Sequence, residues 1–176
     1  MNIQFLAVST PGQLAALSAA AREIWFEYYP ALLSPEQIAY MVETFQTAEA
    51  MGRLIAQEGY LFFLLMEGET VLGYLAVKPE GEKLFLSKAY LKKAFRGRGI
   101  FSRMLKFAEN IARERGLGAI YLTVNKHNAN SIAVYCKKGF HIAREAVTDI
   151  GHGFVMDDYI MEKALPSRPP ILPTGG

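Results

Sequence analysis

Residues 83 to 124 contain a strand pattern, a helix pattern and a second strand pattern in direct succession, and this run restricts the fold more than any other part of the chain. Lys83 to Leu91 and Ala119 to Val124 have the composition of β-strands, and residues 101 to 112 place apolar side chains at helical spacing. A strand, a helix and a strand joined over about 40 residues form a crossover whose strands lie parallel in one sheet. An all-helical fold and a purely antiparallel sheet are thereby excluded.

Further strand patterns lie on both sides of this crossover and are separated by helices or by turn residues. They are residues 2 to 8, 60 to 66, 71 to 77, 140 to 148 and 153 to 163. Consecutive strands joined by short turns pair antiparallel. The sequence therefore predicts an α/β fold with a mixed, mostly antiparallel sheet of about seven strands, a βαβ crossover and flanking helices.

Three helix boundaries have recognisable capping residues. Thr10-Pro11 supplies an N-cap and a proline at the first helical position, and Ser34 to Gln37 has the spacing of a capping box. A third helix over residues 129 to 138 should end at Gly139, which tolerates the left-handed conformation that follows many helices.

The chain of 176 residues is long enough for one domain with a real core. Pro166 to Gly176 holds four of the eight prolines and no periodic pattern, which predicts a disordered tail and a single domain over residues 1 to 165. Cys136 is the only cysteine, and no segment has the pattern of a signal peptide or a membrane span, so we expect a cytoplasmic protein. Three scattered histidines give no metal-ligand spacing.

Charge is distributed unevenly along a chain whose formal net charge is only +2. Residues 78 to 144 carry fifteen basic and four acidic side chains, whereas residues 1 to 77 carry two basic and eight acidic ones. A cationic central segment favours a polyanionic partner, such as a nucleic acid, a phospholipid headgroup or a phosphorylated cofactor, although a solvated lysine-rich surface has the same composition.

The turn Arg96-Gly97-Arg98-Gly99 lies between a predicted strand and a predicted helix. Glycines allow a tight turn whose amides approach a ligand, and the start of a helix adds unpaired amides and a positive dipole end. The pattern indicates a pyrophosphate site. A Walker A loop would need lysine and serine or threonine after Gly99, and the dinucleotide fingerprint would need glycine at Ser102, so neither nucleotide motif is present.

A second motif follows one helix later, over residues 122 to 140. This motif resembles the second signature of the GNAT acetyltransferases: a strand is followed by Asn128-Ala129-Asn130-Ser131, then by Tyr135 and by Gly139-Phe140. The turn Arg96 to Gly99 resembles the family's first signature. The two motifs occur in the family's order, and the resemblance covers roughly residues 60 to 163. Phe101 departs from the family pattern, which has glycine or alanine there.

This resemblance implies that acetyl-coenzyme A is the co-substrate. The backbone amides of the glycine turn would hold its pyrophosphate; the residues concerned are Arg96, Gly97, Arg98, Gly99, Ile100 and Phe101. The backbone of Ala89 and Leu91 would pair with the pantetheine arm like an added strand. Asn128 would contact the same arm, or would instead cap the helix that follows it.

The resemblance also implies that Tyr135 contacts acetyl-CoA and is the general acid that protonates the departing thiolate, with a core or capping role as the alternative. A backbone N–H, that of Leu91, would stabilise the oxyanion. No general base is evident from the sequence. Glu27, His127 and Asp157 are candidates, each of which also suits a surface or structural role.

The acidic amino-terminal segment predicts an acceptor site for a cationic amine. Glu27, Tyr28 and Tyr29 would form it through charge and cation–π contact, unless the aromatic side chains fill the core. In layout the chain looks most like bacterial polyamine acetyltransferases. The prediction is an N-acetyltransferase, monomer or homodimer, acting on a small amine or polyamine and binding neither nucleic acid nor membrane. A peptide N-terminal acetyltransferase and a non-catalytic acetyl-CoA-binding module are the alternatives.

Overall fold

The computed structural model describes residues 2 to 166, so the predicted tail lies outside the described residues apart from Pro166. Within that range the chain forms seven strands and five α-helices. In order they are β1 Gln4–Ala7, α1 Pro11–Tyr28, α2 Pro35–Phe45, α3 Ala48–Glu58, β2 Leu61–Glu67, β3 Thr70–Glu80, β4 Lys83–Leu91, α4 Ile100–Glu114, β5 Ala119–Asn125, α5 Ala129–Lys137, β6 His141–Gly151 and β7 Phe154–Ala164.

The seven strands form one mixed sheet in the order β1-β2-β3-β4-β5-β7-β6. Only β4 and β5 are parallel, and α4 connects them, which confirms the crossover that the sequence predicts. All other neighbouring strands pair antiparallel. The predicted fold class is therefore confirmed, and the parallel pair lies at the centre of the sheet.

The helix caps agree with the sequence at Thr10 and Gly139 and differ in part at Ser34. Gly139 follows α5 with a left-handed φ of 90°, as predicted. Thr10 caps α1 in a full capping box with Gln13. Ser34 accepts a hydrogen bond from the backbone N–H of Gln37, but the second half of the predicted box is wrong. The Gln37 amide instead donates to the carbonyl oxygen of Val155 at 3.1 Å, because β7 offers a partner that the isolated helix lacks.

Sequence analysis did not predict α3, although two signals mark its ends. Thr47 accepts a hydrogen bond from the Ala50 N–H at the start, and Gly59 adopts a left-handed φ of 75° at the end. Within the described residues no helix combines the length and the apolar character needed to cross a bilayer.

The core has two layers, one on each face of the sheet. On one face α4 buries Ile100, Met104 and Ala108 against Leu75 and Leu122 of the sheet. On the other face α1 and α3 cover a second cluster that includes Leu17, Met51, Phe62, Leu64 and Tyr74. Because both faces are covered, a binding site has to open within the sheet or along its edge.

Candidate active site

A gap between the two central strands forms a large cavity in the described structure. β4 and β5 pair only at their beginnings, Lys83–Phe85 with Ala119–Tyr121, and then diverge. Ser87 has no partner on β3, since the register shifts there, and such a bulge bends its strand. The two strands therefore separate and leave a cavity of about 910 Å³, which is lined by residues of the helices on both faces of the sheet.

The glycine turn lies at the mouth of this cavity. Gly97 and Gly99 both adopt a φ of 75°, which glycine tolerates far better than other residues. Gly99 is the N-cap of α4 and supplies no side-chain hydrogen bond, so the first amides of that helix have no side-chain cap. Gly97, Gly99 and Ile100 line the cavity. The predicted anion site would therefore be formed by these backbone amides at the start of α4, and it stays a prediction.

The two arginines of the turn differ in what they contact. Arg96 donates from Nε to the carbonyl oxygen of Leu91 at 2.9 Å and pairs through Nη2 with Glu27 at 2.6 Å. Its guanidinium also lies 5.1 Å from the ring centre of Tyr28. Arg98 is exposed and lies over Phe95. Arg96 thus fixes the turn to β4 and α1, whereas Arg98 is the arginine with freedom to reach a bound phosphate.

We expect the two arginines to respond differently to substitution. Arg98→Ala should weaken acetyl-CoA binding about fivefold at low salt and less at high salt, because an exposed charge is screened. Arg96→Ala should also lower Tm, by about 4 °C, since it removes an ion pair and leaves the Leu91 carbonyl unbonded. Calorimetric titration at two salt concentrations and a thermal melt of each variant test this. A melting temperature that falls only in Arg98→Ala would contradict it.

Tyr135 extends from α5 into the cavity and packs edge-on against two phenylalanines. Its ring centre lies 5.6 Å from that of Phe101 and 5.6 Å from that of Phe140. The ring of Phe101, which departs from the family pattern, is therefore accommodated as a support for Tyr135. Burial, and to a lesser extent the nearby Tyr28, raises the pKa of Tyr135, so the phenol keeps its proton throughout the neutral range.

Asn128 caps α5 and also borders the cavity. Its Oδ1 accepts from the Ser131 N–H at 3.2 Å and from the Tyr28 hydroxyl at 3.0 Å. The hydroxyls of Tyr28 and Ser131 are also 3.0 Å apart. The capping role is therefore present, and the predicted contact with the pantetheine arm stays a prediction for the Asn128 amide nitrogen, since the oxygen already accepts two bonds.

Aromatic side chains wall the part of the cavity that faces α1 and α2. Trp25, Tyr28, Tyr29 and Tyr90 all line it. The hydroxyls of Tyr29 and Tyr90 lie 2.9 Å apart, and Trp25 donates from Nε1 to the Tyr74 hydroxyl at 3.2 Å. Trp25 and Tyr29 belong to a buried cluster and also line the cavity, so the predicted contact of these rings with a cationic amine stays a prediction.

The acids and the histidine proposed from the sequence do not lie in the cavity wall. Glu27 pairs with Arg96 at 2.6 Å, and its predicted role at the acceptor site stays a prediction. Asp157 pairs with Lys126 at 2.7 Å, and His127 is exposed. None of the three lines the cavity.

Several ionisable residues that the sequence analysis did not select do line it, and Lys88 of β4 and Asp158 of β7 are among them. Burial lowers the pKa of Lys88 to about 8 and, with the neighbouring Asp157, raises that of Asp158 to about 6. Successive side chains of a strand face opposite sides of the sheet. This alternation could have predicted that Asp157 and Asp158 lie on different sides and that only one of them faces the cavity. The bulge at Ser87, which has no sequence signal, determines the face that Lys88 occupies.

Comparison with known proteins identifies relatives along most of the chain. The model of the acetyltransferase (GNAT) family matches residues 18–140. An uncharacterized N-acetyltransferase from the pepI 3' region of Lactobacillus delbrueckii subsp. lactis is 31% identical over 158 residues, which are 84% of this chain and 89% of the relative. A spermidine N(1)-acetyltransferase of Thermoplasma acidophilum is 27% identical over 148 residues, 82% of this chain and 89% of the relative.

Solved structures show the same fold. The PaiA N-acetyltransferase of Thermoplasma acidophilum, determined in complex with coenzyme A, has a TM-score of 0.78 and 27% identity, covering 94% of this chain and all of that one. A GCN5-related N-acetyltransferase from Rhodopseudomonas palustris superposes with a TM-score of 0.76 at 15% identity, covering 93% of this chain and 95% of that one.

The chain is an acyltransferase that uses acetyl-CoA. It belongs to the GNAT family of N-acetyltransferases. The residues present fit the co-substrate, because a Cβ placed at Gly97 or Gly99 would meet nothing within 4 Å and the start of α4 has no side-chain cap. Both features leave room for a pyrophosphate beside backbone amides.

Proposed function

We propose that this enzyme acetylates a primary amine of a small cationic molecule, and that polyamines are its main acceptors. The observation that carries the proposal is the aromatic wall of Trp25, Tyr28, Tyr29 and Tyr90, together with the buried carboxylate of Asp158 in the same cavity. Aromatic faces and a desolvated carboxylate both attract an ammonium group. The Thermoplasma relative named for spermidine supports the same acceptor class.

Four cationic side chains also border the cavity: Arg53, Lys88, Arg96 and Lys138. Arg96 is paired with Glu27, and Lys138 donates a hydrogen bond to the Ser102 hydroxyl. Arg53 is neutralised in part by Glu49 at 2.7 Å. Lys88 has a pKa lowered to about 8 by burial, so its positive charge weakens as the pH rises into the range where amines become nucleophilic. The net charge of the acceptor region therefore becomes less positive as the pH rises, which favours binding of a cation.

Contacts between α2 and the β6–β7 hairpin favour a small acceptor over a peptide. The Tyr40 hydroxyl donates to the Ile150 carbonyl at 2.5 Å, and its ring stacks on His152 with centres 4.7 Å apart. Gln37 makes a further bond to Val155. These bonds join the hairpin to α2 at the side of the cavity bordered by Ile150 and Met156, where a peptide groove would have to be open.

Each chemical task has a candidate group in the chain. Bound acetyl-CoA would supply the acetyl group as an activated thioester. The Leu91 N–H would stabilise the negative charge that develops on the acetyl oxygen, and Tyr135 would donate a proton to the departing sulfur. Because the pKa of Tyr135 is raised above that of a thiol, this donation is favourable only when the reacting nitrogen returns a proton to Tyr135.

A panel of acceptors tests the proposal. The enzyme is assayed for coenzyme A release with spermidine, spermine, amino acids, aminoglycosides and peptides. We expect the polyamines to give the highest kcat/KM, by about tenfold or more over uncharged amines, since a buried carboxylate and aromatic faces discriminate by charge. Inert polyamines combined with reactive peptides would refute the polyamine assignment, and no release with any amine would refute transfer to small amines.

A further inference from the structure

Asp158 is a buried carboxylate without a partner in the described part of the chain. It lies on β7 opposite Asn125 of β5 and Ala146 of β6, and it is only 8% exposed. Its Oδ1 is buried and has no hydrogen-bond partner within residues 2–166. Asp157, one position earlier, faces the other side of the sheet, where Lys126 pairs with it.

An unpaired buried carboxylate is unfavourable for folding, so its presence calls for a ligand or a chemical role. Asp158 lines the cavity, and a cationic ligand that enters this cavity would neutralise the charge of its carboxylate. The ammonium group of an acceptor has that charge.

The charged groups around Asp158 set its proton affinity. Burial raises its pKa most, the charge of Asp157 raises it further and Lys126 lowers it, giving a pKa of about 6. The other titratable side chains that line the same cavity are Tyr28, Tyr29, Arg53, Glu58, Tyr60, Lys88, Tyr90, Arg96, Tyr135 and Lys138. A base works best when its pKa lies near the working pH, and Asp158 meets that condition.

The remaining acids are engaged elsewhere or exposed. Glu27 is held by Arg96, Asp157 is held by Lys126, and Glu58 is exposed at the α3 end of the cavity. Asp158 is therefore the one carboxylate of the cavity wall that is both buried and unpaired in residues 2–166.

We propose that Asp158 binds the ammonium group of the acceptor and takes one proton from it, which makes Asp158 the general base of the reaction. This inference rests on the proposed function. The neutral amine then attacks the acetyl carbon, so that a C–N bond forms and the C–S bond breaks. The sulfur receives its proton from Tyr135, and the second proton lost by nitrogen restores Tyr135. The proton held by Asp158 passes to water, which completes the balance.

The test compares pH profiles of kcat/KM for spermidine acetylation in the wild type and in Asp158→Asn, from about pH 5 to about pH 9. In the wild type we expect activity to fall as the pH drops through about 6, because protonated Asp158 cannot accept a proton. Asp158→Asn should lack this inflection and should lose roughly twentyfold in kcat/KM at pH 7, while acetyl-CoA affinity stays within about twofold. Asp158→Glu should retain the inflection and part of the activity.

Asp157→Asn is the matched control on the neighbouring position. It removes a negative charge beside Asp158 and leaves Lys126 paired with Glu145 alone, so the inflection should move to lower pH while activity at pH 7 changes by less than about twofold.

Two failures are distinguishable. If the wild type acetylates spermidine and Asp158→Asn keeps the inflection, the role of Asp158 is refuted and the proposed function stands. If the wild type acetylates no amine, both are refuted. Thermal melts show whether a variant is folded, and the Asn side chain should not lower Tm at pH 7, because an uncharged group replaces a buried charge.

Discussion

Tyr135→Phe is expected to lower kcat about 100-fold while leaving acetyl-CoA affinity nearly unchanged. The hydroxyl is the only group removed, and the ring keeps its edge-on contacts with Phe101 and Phe140. Packing and the backbone amides of the glycine turn are therefore preserved. The loss should fall on the step in which sulfur is protonated, since no neighbouring hydroxyl replaces the phenol without moving Tyr28 from its bonds to Asn128 and Ser131.

The measurement is steady-state kinetics with a good amine acceptor, combined with calorimetric titration of acetyl-CoA. Tyr159→Phe is the matched control, because Tyr159 packs against the same core but does not line the cavity. Its kcat should stay within about twofold of the wild type, because the substitution alters no group that lines the cavity. Equal turnover in Tyr135→Phe and Tyr159→Phe would refute the role of Tyr135 as the proton donor.

The fold and the co-substrate site could be predicted because their signals are local. The crossover over residues 83 to 124 follows from alternating periodicities, and the glycine turn follows from residues that are adjacent in sequence. α3 was missed even though Thr47 and Gly59 mark its ends, since a threonine cap without proline or a capping box is a weaker signal than Thr10 or Ser34 provides.

The acceptor region could be predicted only in part, because its residues come from separate elements. The sequence predicts Tyr28 and Tyr29 as acceptor-site residues, and both line the cavity. The partner of Glu27, however, is an arginine about seventy positions away, which no local pattern indicates. Asp158 was missed because Asp157 and Asp158 differ only in the side of the sheet that they face. That difference depends on the pairing register of β7, and a shift by one residue would exchange the two roles.

Gly73→Ala is expected to destabilise the enzyme and to disrupt the end of β4. Gly73 pairs with Leu91, and a Cβ at this position would lie 2.1 Å from the carbonyl oxygen of Tyr90 and 3.0 Å from Cα of Leu91. Neither backbone atom can move away from this Cβ unless β3 and β4 separate. We expect a loss of about 3 kcal/mol in the free energy of unfolding and a fall in Tm of roughly 10 °C.

The same displacement should impair catalysis, because the end of β4 positions two groups of the proposed mechanism. The N–H of Leu91 is the proposed oxyanion donor, and its carbonyl oxygen holds Nε of Arg96 at 2.9 Å. Gly12→Ala is the matched control, since a Cβ there meets nothing within 4 Å and alanine suits the first turn of α1. Thermal melts and kcat/KM are measured for both variants. If Gly73→Ala melts and turns over like Gly12→Ala, the close approach of β3 to β4 does not position Leu91, and the oxyanion role loses its structural basis.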